Sequence, residues 1–224
     1  MGQVIGDLLP LAVGVAISPI PIITVILLLL GPRAGGTSAG FLVGWVVGIV
    51  VTTTVFLLLA GTLDLGSSGE PSAAASWVQL VLGVLLLLLA VRQWQGRPSP
   101  GADPALPTWM TAIDGLTAGK AAGLGLALSA VNPKNLLMCL AAGSTIAGAG
   151  LSAGGDVAAV AVFTLIAGCT AIVPVVAYAV GRKRMAGPLE SLRAWLTAHN
   201  VAVMATLLLV IGAVLVGNGL GGLL

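Results

Sequence analysis

Of the 224 residues, 58% are hydrophobic and only 7% charged, with a mean hydropathy of +1.14. Ordinary soluble domains carry roughly 25% charged residues, so the composition excludes one and fits an all-α polytopic membrane protein. A net charge of +2 gives no footprint for nucleic acid, and one histidine with two cysteines leaves too few ligands for a His/Cys metal centre.

A spanning helix needs about 20 mostly apolar residues, and six segments qualify. The first, Val4–Leu30, has no basic residue before Arg33 and so no signal-peptide n-region; it is expected to be retained. Gly2 opens no myristoylation motif, because position six is Gly6. This segment is longer than a straight span requires and is interrupted at Ala16-Ile17-Ser18-Pro19-Ile20-Pro21. Pro19 and Pro21 each remove a backbone donor and push the preceding residue out of helical geometry. The chain is expected to loosen from Ala16 to Ile22, with a half-helix starting near Pro21. The N–H groups at such an end attract anions.

The second segment, Gly40–Gly61, repeats glycine at Gly40, Gly44 and Gly48, a spacing that lets helices approach closely. The contact can be static or sliding, within one chain or between two. Thr52, Thr53 and Thr54 form a polar band in it, although most membrane threonines bond back to their own helix. Ser76–Arg92 is the third segment. After it, Pro98, Pro100, Pro104 and Pro107 make Gly96–Asp114 an extended linker.

The fourth segment, Thr117–Gly148, carries Gly119 and Gly123; Asp114 and Lys120 at its start either anchor the helix end or guide an anion inward. Its break reads Ser129-Ala130-Val131-Asn132-Pro133-Lys134-Asn135. Asp156–Gly181 is the fifth, softened at Thr170 and Pro174. Pro188–His199 reads either as a short interfacial helix, with Leu189, Leu192, Trp195 and Leu196 on one face, or as an extended start to the sixth segment, Val201–Val216. Cys139 and Cys169 lie in apolar segments. They read as small packing residues, or alternatively as a redox pair between helices.

Basic loops alternate with non-basic ones. Arg33, then Arg92 and Arg97, then Arg182, Lys183, Arg184 and Arg193 mark the cytoplasmic side; Asp64, Glu70 and Asp156 lie on the other. Both termini are then extracytoplasmic, and residues 1–95 and 116–224 form two inverted three-helix repeats joined by a cytoplasmic linker at 96–115. Val13-Gly14-Val15-Ala16-Ile17-Ser18 aligns with Leu124-Gly125-Leu126-Ala127-Leu128-Ser129, and Pro21 matches Pro133 with one inserted residue. Broken helices at matching places in two halves point to a transporter's binding site.

The second break carries more chemistry. Asn132 and Asn135 flank Pro133, and Lys134 puts a cation halfway along a span, where the default reading is functional. No carboxylate sits at that depth. A substrate anion or a wet cavity would neutralise it, unless the side chain snorkels to an interface. The candidate substrate-binding residues are Ser18, Pro19, Pro21, Ser129, Asn132, Pro133, Lys134 and Asn135. No Ser-His-Asp set, paired carboxylates or GxxxxGKS loop is present, so no enzyme activity and no cofactor are expected.

These residues resemble the GAP-like proteins, the sulfolipid-1-addressing and glycopeptidolipid-addressing proteins of mycobacteria and related actinobacteria, within the LysE-type transporter superfamily. The resemblance rests on the two proline motifs and the six helices with a proline-rich central loop, and covers nearly the whole chain. It implies six helices in inverted repeats in the bacterial plasma membrane, and export of cell-envelope glycolipids. The superfamily's thiol-electron carriers need a cysteine in each broken helix, and the first has none.

The leading expectation is an exporter or flippase for an anionic or polar-headed lipid held between the two breaks. Its partners are membrane lipids and proteins of envelope-lipid synthesis or export; a Gly-rich apolar face allows a homodimer. The alternatives are a small-solute exporter of amino acids or ions, favoured by an enclosed pocket, and a non-transporting scaffold for glycolipid export.

Overall fold

The computed structural model describes residues 1–62, 73–96 and 113–223. Over these residues the chain is helical and has no strand. The helices are α1 (Gly2–Ala16), α2 (Pro19–Leu30), α3 (Ala34–Thr62), α4 (Ala73–Gln95), α5 (Ala118–Ala130), α6 (Pro133–Gly148) and α7 (Ala153–Gly221), with a 3-10 turn at Ile113–Gly115 before α5. Most of the linker expected at 96–115 lies outside the described residues, as does the loop carrying Asp64 and Glu70.

Four stretches are long and apolar enough to cross a bilayer alone: Ala34–Gly61, Ser76–Gln95, Ala153–Gly181 and Ala186–Gly221. The other two candidates are bent pairs. α1 meets α2 at 54°, and α5 meets α6 at 65°, so the spans number up to six if each pair counts as one. Both bends fall where proline withholds the next N–H.

α7 contains two of the long spans. It leaves helical geometry at Gly181 (φ −140°, ψ 48°) and then runs to Gly221. Residues 188–199 are therefore the extended start of the last span, not a separate interfacial helix. The sequence has neither glycine nor proline between Pro188 and Gly212, so nothing interrupts the ladder. Leu189 and Leu196 are buried, whereas Leu192 and Trp195 are exposed. The exposed side carries a Glu190–Arg193 ion pair at 2.6 Å and a Trp195–His199 stack with ring centroids 4.9 Å apart.

In lipid, helices gain little hydrophobic energy by associating, so close packing of small residues carries the assembly. The Gly40-Gly44-Gly48 face packs inside the chain, against α5. A Cβ on Gly40 would strike the carbonyl oxygen of Ala118, one on Gly44 that of Ala122, and one on Gly48 the Ser129 hydroxyl. From the α5 side, a Cβ on Gly125 would lie 2.8 Å from the Trp45 amide nitrogen. Gly119 and Gly123 share the spacing but face open space.

A second seam joins α4 to the last span. A Cβ on Gly83 would lie 2.8 Å from the Gly212 carbonyl oxygen, and one on Gly219 would lie 2.7 Å from the Leu80 amide nitrogen. Phe41, Trp45 and Ile49 line the buried face of α3 and share one core with Leu86, Met138 and Phe163. Val43, Leu58, Leu88 and Val180 are among the large apolar side chains left on the outside, where a bilayer would cover them.

Candidate functional site

At the first break, backbone arithmetic shows what must be satisfied. The carbonyls of Val15 and Ile17 would ordinarily accept from residues 19 and 21, but Pro19 and Pro21 have no N–H. The Ile17 amide still donates to Val13 O at 2.9 Å, ending α1. Ser18 is extended at the start of α2 and its side chain caps nothing. The neighbouring carbonyls, Gly14 O and Ala16 O, are served from outside. The Lys134 ammonium donates to Gly14 O at 2.6 Å, and the Thr170 hydroxyl donates to Ala16 O at 2.6 Å. Both donors lie in the second half of the chain.

The second break caps itself. Asn132 Oδ1 accepts from the Lys134 amide at 3.1 Å and so starts α6. Asn135 Nδ2 donates at 3.1 Å to Leu128 O, a carbonyl released where α5 ends. Pro133 takes the first helical position, where a missing N–H costs nothing. The Ser129 hydroxyl donates to Leu126 O at 2.9 Å and sits in the α3–α5 seam.

A pocket of about 310 Å³ opens beside this second break. Arg92 and Gln93 at the end of α4 face Asn132, Pro133 and Lys134 across it. Leu89, Met204 and Leu208 supply an apolar wall. Among the described residues the lining carries two cations and no carboxylate. Lys134 is 3% exposed, its stem turned inward toward Gly14 and not out to an interface. One of its three N–H bonds is taken by Gly14.

Of the eight candidate residues, Asn132, Pro133 and Lys134 line this pocket. Ser18, Pro19, Pro21, Ser129 and Asn135 are buried and do not line it. Among the described residues the Ser18 hydroxyl and Asn135 Oδ1 find no hydrogen-bond partner. Arg92 and Gln93 were missed as site residues. Arg92 reads in the sequence as a topology charge, and only the packing of α4 on the last span brings it to the break.

A larger pocket, about 430 Å³, lies at the other end of α4. Among the described residues, Gln3, Asp7, Ser76, Gln79, Thr145 and Asn218 give it a polar lining with one carboxylate and no cation. Gln79 and Arg92 are 13 residues apart on one helix, which separates the pockets by about 20 Å. The last span passes both on one face, with Met204 and Leu208 at the first and Leu215 and Asn218 at the second. Buried apolar residues fill the level between them: Leu82 and Leu86 on α4, with Met138 and Ile211 packed against Gly14.

Both cysteines are free, Cys139 buried and Cys169 half-buried. Among the described residues no cluster of three or more His, Cys, Asp or Glu side chains could hold a metal ion.

The family described as Sap, sulfolipid-1-addressing protein, matches residues 8–221. No curated protein and no solved structure matches the chain.

Proposed function

The chain belongs to the sulfolipid-1-addressing protein family, which implies a role in sulfolipid addressing or export; from that premise we propose that it exports or flips an anionic, polar-headed envelope lipid across the plasma membrane. The observation that carries this reading is the pocket at the second break. Arg92, Asn132, Gln93 and Lys134 offer charged and amide donors to an anionic head group, and Leu89, Met204 and Leu208 offer an apolar wall to the start of its tails. A lining of that kind suits an amphiphile better than a free amino acid, whose ammonium would find no carboxylate among the described residues of the pocket.

The second pocket supplies the other end of a route. An anionic head group would leave the cationic pocket for one whose described lining holds no cation, past the apolar level around Met138 and Ile211. We infer that the chain forms two inverted three-helix halves, with the bent pairs α1–α2 and α5–α6 in corresponding places and the α4–α7 seam between them. In that arrangement both termini are extracytoplasmic and the Arg92 pocket faces the cytoplasm, where a newly made lipid would enter. The protein acts without catalytic chemistry, and proteins of lipid synthesis are its natural suppliers.

Native mass spectrometry with a sulfated glycolipid and its unsulfated counterpart tests the reading on wild type and Arg92→Gln. A hydrogen bond to a charged group contributes about 1.5–3 kcal/mol, so Arg92→Gln should weaken the sulfated lipid by roughly ten- to hundred-fold and leave the unsulfated one unchanged. Equal binding of both lipids by both proteins, with no lipid movement in liposomes, would refute it.

A further inference from the structure

The C-terminal end of α1 collects oxygen. The carbonyls of Gly14, Val15, Ala16 and Ile17 lie where the helical ladder stops, and those of Val15 and Ile17 lose their ordinary donors to Pro19 and Pro21. The hydroxyl of Ser18, 1% exposed, follows them with no hydrogen-bond partner of its own. A helix C-terminus carries the negative end of the macrodipole, about half an elementary charge. Unwound carbonyls and half-helix C-terminal ends of this type hold coupling cations in transporters built on broken helices.

Here the cation comes from the protein. The Lys134 ammonium, carried by the second break, donates to Gly14 O at 2.6 Å and is almost wholly buried. Its counter-charge is not a carboxylate, because no Asp or Glu is buried among the described residues. A buried ammonium without an acid persists only where dipoles and lone pairs replace its water. The Thr170 hydroxyl serves the neighbouring Ala16 O, so Gly14 O is left to the ammonium.

We propose that the C-terminal end of α1 is a monovalent-cation site whose cation is tethered: the ammonium of Lys134 occupies the place a free sodium or potassium ion would take. The wild-type chain then needs no dissolved cation to hold its first break. Removing the ammonium frees Gly14 O at the end of α1, and an alkali cation can take its place there.

The test uses the purified full chain in detergent, with thermal unfolding in sodium chloride, potassium chloride and choline chloride at equal ionic strength. Wild type and Lys134→Arg, which keeps a cation, should have the same midpoint in all three salts. Lys134→Ala should unfold several degrees lower in choline and recover saturably with sodium or potassium. Identical behaviour of Lys134→Ala in all three salts, whether folded or aggregated, overturns the proposal. So does an equal gain by wild type. The readout is stability and not lipid binding, so this inference and the lipid reading can fail separately.

Discussion

Gly44→Ala should destabilise the protein while Gly123→Ala should not, although both replace a membrane-helix glycine by the better helix former. On Gly44 the new methyl would collide with the Ala122 carbonyl oxygen and stand 2.7 Å from its carbonyl carbon and 2.9 Å from its Cα. Apolar contacts are comfortable from about 3.5 Å, so α3 and α5 must part by roughly 1 Å. A gap of that size forfeits about a quarter to a half of each dispersion contact along the seam. Backbone cannot swing aside as a flexible side chain would, and overpacking of this type costs about 1–3 kcal/mol. On Gly123 the methyl meets nothing within 4 Å. The helix-propensity gain, at most about 1 kcal/mol, is common to both variants and cancels in the comparison. The difference between them is therefore the packing term itself, about 1–3 kcal/mol. Equilibrium unfolding in mixed micelles, followed by tryptophan fluorescence with Trp45 next to the substitution, measures it. Equal stability of the two variants would refute the claim that the α3–α5 seam is held by backbone approach.

Two further outcomes follow from the capping of the breaks. Thr170→Val keeps the side-chain size but removes the hydroxyl that serves Ala16 O; interhelical hydrogen bonds in membranes are worth about 0.6 kcal/mol on average and up to about 1.7, so the same unfolding assay should report a loss in that range, reversed in Thr170→Ser. Asn135→Leu removes the donor that serves the half-buried Leu128 O and should cost about 0.5–1.5 kcal/mol; a variant as stable as wild type would show that water already serves that carbonyl.

The breaks were legible in the sequence because proline's missing N–H is a local fact. The polar partners of the second break were legible for the same reason: Asn132 and Asn135 lie within a few residues of the groups they serve. The first break's partners were not. Nothing near Ser18 announces that its helix end is served from positions 134 and 170, since those contacts exist only after the halves pack. Glycine spacing identified the packed face of α3, where Gly40, Gly44 and Gly48 all make close contact. The same rule pointed to Gly119 and Gly123 on α5, whereas Gly125 makes the contact. Spacing defines a face, but only a neighbour decides whether that face is covered. Arg92 shows the converse: a residue that marks membrane side by its charge also lines a pocket, because the α4–α7 seam carries it there.

The unequal capping of the two breaks fixes an order of assembly. The second break can close as soon as its own residues leave the ribosome. The first must wait for a lysine 120 residues downstream and a threonine 154 residues downstream. At about 5–20 residues per second, the lysine alone takes roughly 6–24 s to emerge. Through that interval the open carbonyls of α1 have to be served by water or by the insertion machinery. The span with the first break is thus finished long after it is made, and a truncated first half would be left with an unsealed helix end.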